Sequence, residues 1–220
     1  MEDNALLQGR AERGDADAQF RLGYRLAFPR DKSRTDWREA CRYWKVAAAA
    51  GHVRALFFLG VCYDKGRGVR KDLSMAAKSY RKAASKGHAE AQFNLGMLYR
   101  DGKGVKRNYR RAAAYFYTAA KAGDAEAARE YGVCLANGLG VEQDSSEAVR
   151  WYRFAARRGD EIAQHNLGLS YLYGDGVRKH RANAEKWLSS ASSNKFLPSR
   201  RLLKRLRNED VAASGNTRSE

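Results

Sequence analysis

Apolar residues recur along the chain at spacings of three and four, in short blocks separated by polar or glycine-rich breaks. That is the period of amphipathic helices, not of strands. Between Ala89 and Arg100 the stripe runs through Ala91, Leu95 and Leu98, with Tyr99 beside it. Gly102-Lys103-Gly104-Val105 interrupts it, and a second stripe through Ala112, Phe116, Ala119 and Ala120 predicts a partner helix over Tyr109 to Lys121. Gly96 falls in the middle of the first helix, where glycine costs about 1 kcal/mol relative to alanine. Such a cost is tolerated where a neighbouring helix must come very near, so the position predicts close packing.

The pattern repeats. Gly23, Gly60, Gly96, Gly132 and Gly168 follow one another at 37, 36, 36 and 36 residues. Two alanine ladders, Ala40, Ala76, Ala112, Ala148, Ala184 and Ala47, Ala83, Ala119, Ala155, Ala191, keep a constant 36. The turn returns as Gly66-Arg67-Gly68-Val69, Gly138-Leu139-Gly140-Val141 and Gly174-Asp175-Gly176-Val177. Its glycines suit left-handed helix ends, and its valine suits a plug between the two helices. A phosphate-cradling loop would need GxGxxG or GxxxxGK[ST] after a strand, and neither the strand nor the spacing is present. Gly51, Gly87, Gly123 and Gly159 close the second helices. Helix pairs repeated in this way bury their apolar faces against the next pair and form a solenoid with an extended concave surface.

The run from Ala89 to Tyr99 (AEAQFNLGMLY) and the run from Ala148 to Gly159 (AVRWYRFAARRG) resemble the two halves of the Sel1-like repeat, a relative of the tetratricopeptide repeat. The resemblance implies an all-α, right-handed α/α solenoid of five units, at about 14–50, 51–86, 87–122, 123–158 and 159–193. An N-terminal capping segment, 1–13, precedes them; a basic capping helix, 194–209, and an unstructured tail, 210–220, follow. The end units depart from the pattern. Phe28-Pro29-Arg30-Asp31-Lys32 replaces the first glycine turn, Ser192 and Lys195 replace a late alanine and glycine, and Pro198 introduces the closing helix. By resemblance the function is that of a non-enzymatic scaffold or adaptor, without cofactor, catalytic residues or metal, that binds a protein or peptide.

Composition narrows the class. The 220 residues include 36 alanines and only 2 prolines, which favours helices. A hydrophobic fraction of 44% suffices for a packed core and excludes a wholly disordered basic protein. No apolar run reaches the length of about 18 residues expected of a membrane span. The start, Met1-Glu2-Asp3-Asn4, lacks the basic and apolar regions of a secretory signal, so a cytoplasmic chain is expected unless a presequence was trimmed. Cys41, Cys62 and Cys134 cannot all pair and form no CxxC, which fits a reducing compartment and small packing groups.

Among the histidines, His52 and His88 share a column with Asp124 and Asp160, the place of a helix N-cap. His165 and His180 join no acid–base or zinc constellation. Trp37, Trp44, Trp151 and Trp187 coincide with helix-packing columns.

Surface positions vary more than the ladders do. Projection of the first helices places Phe57, Phe58, Gln92, Asn94, Arg129, Glu130, Gln164 and Asn166 on the concave groove or its margins. There the amides would hold a peptide backbone while a phenylalanine anchors it. Packing of Phe57 and Phe58 against neighbouring units fits the same pattern. Charge supplies a second surface: 42 Lys+Arg against 25 Asp+Glu give a net +17. Arg67, Arg70, Lys71, Lys103, Lys106, Arg107, Arg178 and Arg181 gather in the turns, and Arg200, Arg201, Lys204, Arg205 and Arg207 in the closing segment. Such fields attract an acidic protein partner. Nucleic acid, RNA or DNA, held at the basic loop edge is the alternative. Five units can fold as a monomer, and a weak homodimer is equally compatible with the pattern.

Overall fold

The computed structural model describes residues 4–193 and 196–216, with side chains described for 5–193 and 196–209. Every regular element among the described residues is helical, and the architecture is a solenoid of helix pairs. The chain divides into two units, 1–119 and 120–220. The first holds α1 (Asn4–Glu12), α2 (Ala16–Ala27), α3 (Trp37–Ala49), α4 (Val53–Lys65), α5 (Leu73–Ala84), α6 (Ala89–Asp101) and α7 (Tyr109–Lys121), whose last residues cross the boundary. The second holds α8 (Ala125–Asn137), α9 (Ser145–Ala156), α10 (Glu161–Tyr173), α11 (Arg181–Ser193) and α12 (Leu197–Asn216).

Within a repeat the two helices meet through a glycine. A Cβ built on Gly23, Gly60 or Gly96 would lie 2.6 Å from Trp44, Tyr80 or Phe116 respectively. On Gly132 or Gly168 it would lie 2.7 Å from Tyr152 or Leu188. These partners also recur every 36 residues. The mid-helix glycine is therefore the socket for one large side chain on the second helix, and Trp44, Phe116 and Leu188 are wholly buried in it. Trp44 satisfies its buried indole N–H by donating to the Phe20 carbonyl at 3.2 Å.

The glycine turns serve two neighbours. Gly66, Gly102, Gly138 and Gly174 are left-handed C-caps, each N–H donating to the carbonyl four residues back. The second glycine abuts the start of the preceding second helix: a Cβ on Gly68 would stand 2.1 Å from the Trp37 carbonyl oxygen, and one on Gly104 would stand 2.3 Å from the Leu73 carbonyl. The valines behind them, Val69, Val105, Val141 and Val177, are half-buried.

Helix starts follow the expected column. His52 and His88 accept through Nδ1 from the N–H of Ala55 and Ala91, and Asp124 and Asp160 cap Ala127 and Ala163 through a carboxylate oxygen. In the first repeat α2 stops at Ala27, ahead of Pro29, and a short 3-10 turn at Lys32–Arg34 replaces the glycine turn.

The closing helix is docked. Leu203 and Leu206 of α12 pack with Leu188 of α11, Ser199 meets His165 of α10 at 2.8 Å, and Arg181 donates to the Leu206 carbonyl at 3.2 Å. The helix continues to Asn216, beyond the expected end at 209, so the expectation of an unstructured tail from 210 is corrected as far as 216; residues 217–220 lie outside the described residues.

The cysteines also depart from expectation. Cys41 of α3 and Cys62 of α4 form a disulfide, and Cys134 is buried outside it. The two lie 21 residues apart, but the stacking of one repeat's second helix on the next repeat's first helix brings their columns together. They are a cross-link between adjacent repeats, not simple packing groups, and the inference from cysteine usage to a reducing compartment loses its basis.

Candidate interaction site

The most developed surface feature of the first unit begins with spacing on α2. Phe20, Tyr24 and Phe28 succeed one another every four residues and so line one face. Phe20 and Tyr24 are 6.1 Å apart between ring centroids, and Tyr24 and Phe28 4.8 Å. Phe58 of α4 touches all three, at 5.9, 5.8 and 6.0 Å, and stacks on Trp44 at 4.8 Å. Trp37, at the start of α3, meets Phe28 edge-on at 5.4 Å. Pairs of this geometry contribute about 0.5–1.5 kcal/mol each beyond area burial.

The cluster is only partly covered: Tyr24 is 41% and Phe28 46% exposed. Where later repeats have the glycine turn, the irregular loop after α2 leaves a cavity of about 480 Å³ lined by Ala27, Phe28, Pro29, Lys32, Thr35, Trp37 and Arg67. The Arg67 guanidinium lies over the Trp37 ring at 4.6 Å, a cation–π contact that fixes a positive charge at the rim. Lys32 supplies a second cation to the lining. Apolar walls with two cations suit an apolar or aromatic side chain flanked by carboxylates.

The groove residues expected from sequence divide into four pairs. Phe57 and Phe58 are half-buried: Phe57 stacks on His88 at 4.6 Å and meets Phe58 at 5.3 Å. Phe58 thus belongs to the aromatic cluster, where packing and partial exposure coexist. Gln92 and Gln164 are corrected. Both are buried, and each Nε2 donates to a carbonyl eight residues back, Ala84 at 3.3 Å and Ala156 at 3.1 Å, as Gln19 does to Ala11. These amides tie a first helix to the end of the helix before it.

Asn94 and Asn166 are half-buried. Arg129 and Glu130 are ion-paired with each other, and Arg129 also reaches Asp160 at 3.1 Å. Arg129 is 12% exposed, Glu130 8% and Asp160 10%, so the group braces α8 against the start of α10. Burial opposes the Arg129 charge, yet the two carboxylates outweigh it and push its pKa up.

The basic residues are exposed as expected, but not all are unengaged. Lys103 pairs with Asp101 at 2.9 Å, Arg181 with Glu185 at 2.9 Å, and Arg205 with Glu209 at 3.6 Å. Arg67, Arg70, Lys71, Lys106 and Arg107 in the first unit are exposed, as are Arg178, Arg200, Arg201 and Lys204 in the second. Among the described residues no three His, Cys, Asp or Glu side chains are gathered as a metal site, and no helix is long and apolar enough to cross a membrane. His165 and His88 are held below the ordinary imidazole pKa, first by burial and, for His88, also by Arg54. Tyr24, Phe28, Lys32 and Trp37 were not singled out as a site by the sequence reading, although the four-residue aromatic spacing beside a departure from the turn pattern was its signal.

Comparison with known proteins agrees with the geometry. The Sel1 repeat family matches residues 16–52, 53–88, 89–124, 125–160 and 162–196. The chain belongs to the Sel1 repeat family. Among solved Sel1 repeat structures, a protein from Oxalobacter formigenes is 31% identical, with a TM-score of 0.79 over 86% of this chain and 78% of that one. A protective antigen of uropathogenic Escherichia coli is 28% identical, with a TM-score of 0.59 over 96% of this chain and 53% of that one. Rat DAP3-binding cell death enhancer 1 is 36% identical over 72 residues, 33% of this chain but only 14% of that protein. Sel1 repeats are a non-catalytic scaffold fold for protein–protein interaction.

Proposed function

We propose that this Sel1 repeat chain is a scaffold or adaptor that binds an acidic peptide segment of a partner protein. An apolar side chain of that segment enters the cavity at Phe28 and Trp37, and its carboxylates meet Lys32 and Arg67. The observation that carries the reading is the partly exposed aromatic cluster under a cationic rim. Buried aromatic anchors beside arginine are the composition of binding hot spots. The net charge of +17 adds long-range attraction for an acidic partner.

The test is selection of peptides from a random library on the wild-type chain, followed by affinity measurement on variants. Enriched peptides should pair an aromatic or large aliphatic residue with acidic neighbours. Phe28→Ala and Arg67→Glu should each weaken them about tenfold, the scale of one interface anchor. Enrichment without that signature, or binding indifferent to both substitutions, would refute the proposal.

Nucleic acid at the exposed turns is the second reading, favoured by Arg70, Lys71, Lys106 and Arg107. It predicts affinity for RNA or DNA that falls steeply with salt and survives Phe28→Ala.

A further inference from the structure

A second cavity of the first unit, about 490 Å³, lies where α5, α6 and α7 meet, and its lining is Arg81, Tyr99, Val105, Lys106, Arg107, Asn108 and Arg111. Four of these seven residues are cations and none is acidic. Among the described residues, none of the four is ion-paired.

Two guanidiniums converge on one oxygen. Arg81 Nη2 donates to the Tyr99 hydroxyl at 3.2 Å and Arg111 Nη1 donates to it at 3.0 Å. The Tyr99 oxygen therefore accepts twice, and its own O–H is left without an acceptor among the described residues. Tyr99 is only 4% exposed, its ring stacks on Tyr115, and Arg111 also lies over its face at 5.4 Å, so the phenol is a fixed post for both arginines. Burial alone would raise the phenol pKa, but the two guanidiniums prevail and hold it below the ordinary tyrosine value. Asn108 caps the start of α7 through the Arg111 N–H at 2.9 Å, so the charge of the pocket comes from side chains.

Repeat packing does not require this arrangement. The Tyr99 column holds Tyr63, Leu135 and Tyr171; the Arg81 column Lys45, Tyr117 and Arg153; the Arg111 column Met75, Glu147 and Asn183. In the second unit Arg153 donates to Tyr171 at 3.2 Å, but Asn183 stands where a second arginine would. A device needed to hold helices together would recur with the ladders, and this one occurs in a single repeat.

We propose that the cavity formed by Arg81, Tyr99, Lys106, Arg107 and Arg111 is a binding site for a phosphate monoester. A monoester presents three acceptor oxygens and nearly two negative charges at neutral pH. It matches two guanidiniums, a phenol O–H and two flanking cations gathered in one concavity. A carboxylate would leave donors unused, and a phosphodiester carries one charge and calls for a track of cations. The site is separate from the Phe28–Trp37 cavity and does not rest on the reading given for it.

The test is titration of the full chain with inorganic phosphate near pH 7.5, read by phosphorus NMR and calorimetry. A polar peptide carrying one phosphoserine, and its unphosphorylated twin, form the second arm. One saturable site is expected, weakened about tenfold or more by Arg81→Gln or Arg111→Asn and several-fold by Tyr99→Phe. Arg150→Gln, exposed on α9 of the other unit, should leave it unchanged. Arg111→Asn installs the residue found at the equivalent Asn183, and circular dichroism will verify that each variant is folded. Affinity for the phosphopeptide should fall as the pH drops through about 6, where the phosphoserine dianion is protonated.

Tighter binding of the phosphopeptide than of inorganic phosphate, with none of its twin, would assign the phosphate to a partner's side chain; the reverse order would overturn the monoester assignment in favour of the free anion. No saturation by about 10 mM phosphate, or binding that persists in the Arg81→Gln/Arg111→Asn double variant, would overturn the proposal. Higher affinity for a single-stranded RNA, lost in the same variants, would overturn the monoester assignment.

Discussion

Replacing a helical glycine by alanine ordinarily stabilises a protein, and Gly96→Ala should do the opposite. The added Cβ would stand 2.6 Å from Phe116 Cε1 and 2.8 Å from Cδ1, against about 3.4 Å for ordinary contact. Phe116 is wholly buried, with Ala112, Ala113, Ala119 and Ala120 buried on the same helix, so its ring has little room to retreat. Overpacking of this kind costs about 1–3 kcal/mol, and a displacement approaching 1 Å puts the cost near the upper end. The gain in helix propensity returns about 1 kcal/mol. The net is a loss of about 2 kcal/mol, or about 4–8 °C in melting temperature for a chain of this size.

Gly9 of α1 provides the control. Its nearest foreign atom would be Arg13 Nη1 at 3.5 Å, so Gly9→Ala keeps only the propensity term and should raise stability by about 0.5–1 kcal/mol. In a Phe116→Ala background the socket is empty, and Gly96→Ala should become stabilising by about 1 kcal/mol. The coupling between the two sites is then about 3 kcal/mol, the upper end for residues in contact. Urea denaturation of the four members of the cycle measures it. A Gly96→Ala variant as stable as Gly9→Ala, or a cost unchanged in the Phe116→Ala background, would refute the socket.

Three other perturbations test separate parts of the fold. Reduction of the Cys41–Cys62 bond, which closes a loop of 21 residues, should cost about 3 kcal/mol on the chain-entropy account; melting with and without a thiol reductant measures it, and the Cys41→Ser/Cys62→Ser variant should not respond. Arg129→Met leaves Glu130 and Asp160 buried without their counter-charge and should destabilise the second unit by about 3 kcal/mol or more, read by urea titration; a neutral effect would mean the three groups are not coupled. Burial holds the folded pKa of His165 below its ordinary 6.5, so the unfolded chain takes up the proton first. Its contribution is therefore complete above pH 6.5 and is lost as the pH falls through the lower folded value. Between those pH values, His165→Gln should flatten the fall in stability, and an unchanged slope would count against the linkage.

The repeat was legible because it is written in residues with steric consequences. A glycine that must face a Trp, Tyr, Phe or Leu across a helix pair, and turn glycines with φ of 66° to 87°, leave little freedom to drift, so the period appears in the bare sequence. Side-chain direction was harder to read. Gln92 and Asn94 sit two positions apart on one helix, yet the first turns inward to the Ala84 carbonyl while the second remains half-buried, because a helical rotation of about 200° separates them. The disulfide was illegible for a related reason: Cys41 and Cys62 belong to different helices of different repeats, and no local spacing reports that α3 stacks on α4.

The two candidate sites lie where the repeat rule is suspended. At Phe28–Trp37 the glycine turn is missing and the loop opens a cavity; at Tyr99 the turn is kept, but Arg111 fills a column that holds Met75, Glu147 and Asn183 elsewhere and so joins Arg81 on one phenol. A strict repeat specifies stacking and presents the same surface at every step, so it cannot by itself distinguish one place on the solenoid from another. Binding at a single place needs departures from it, and these departures bring together aromatic faces and cations that the packed ladders do not use.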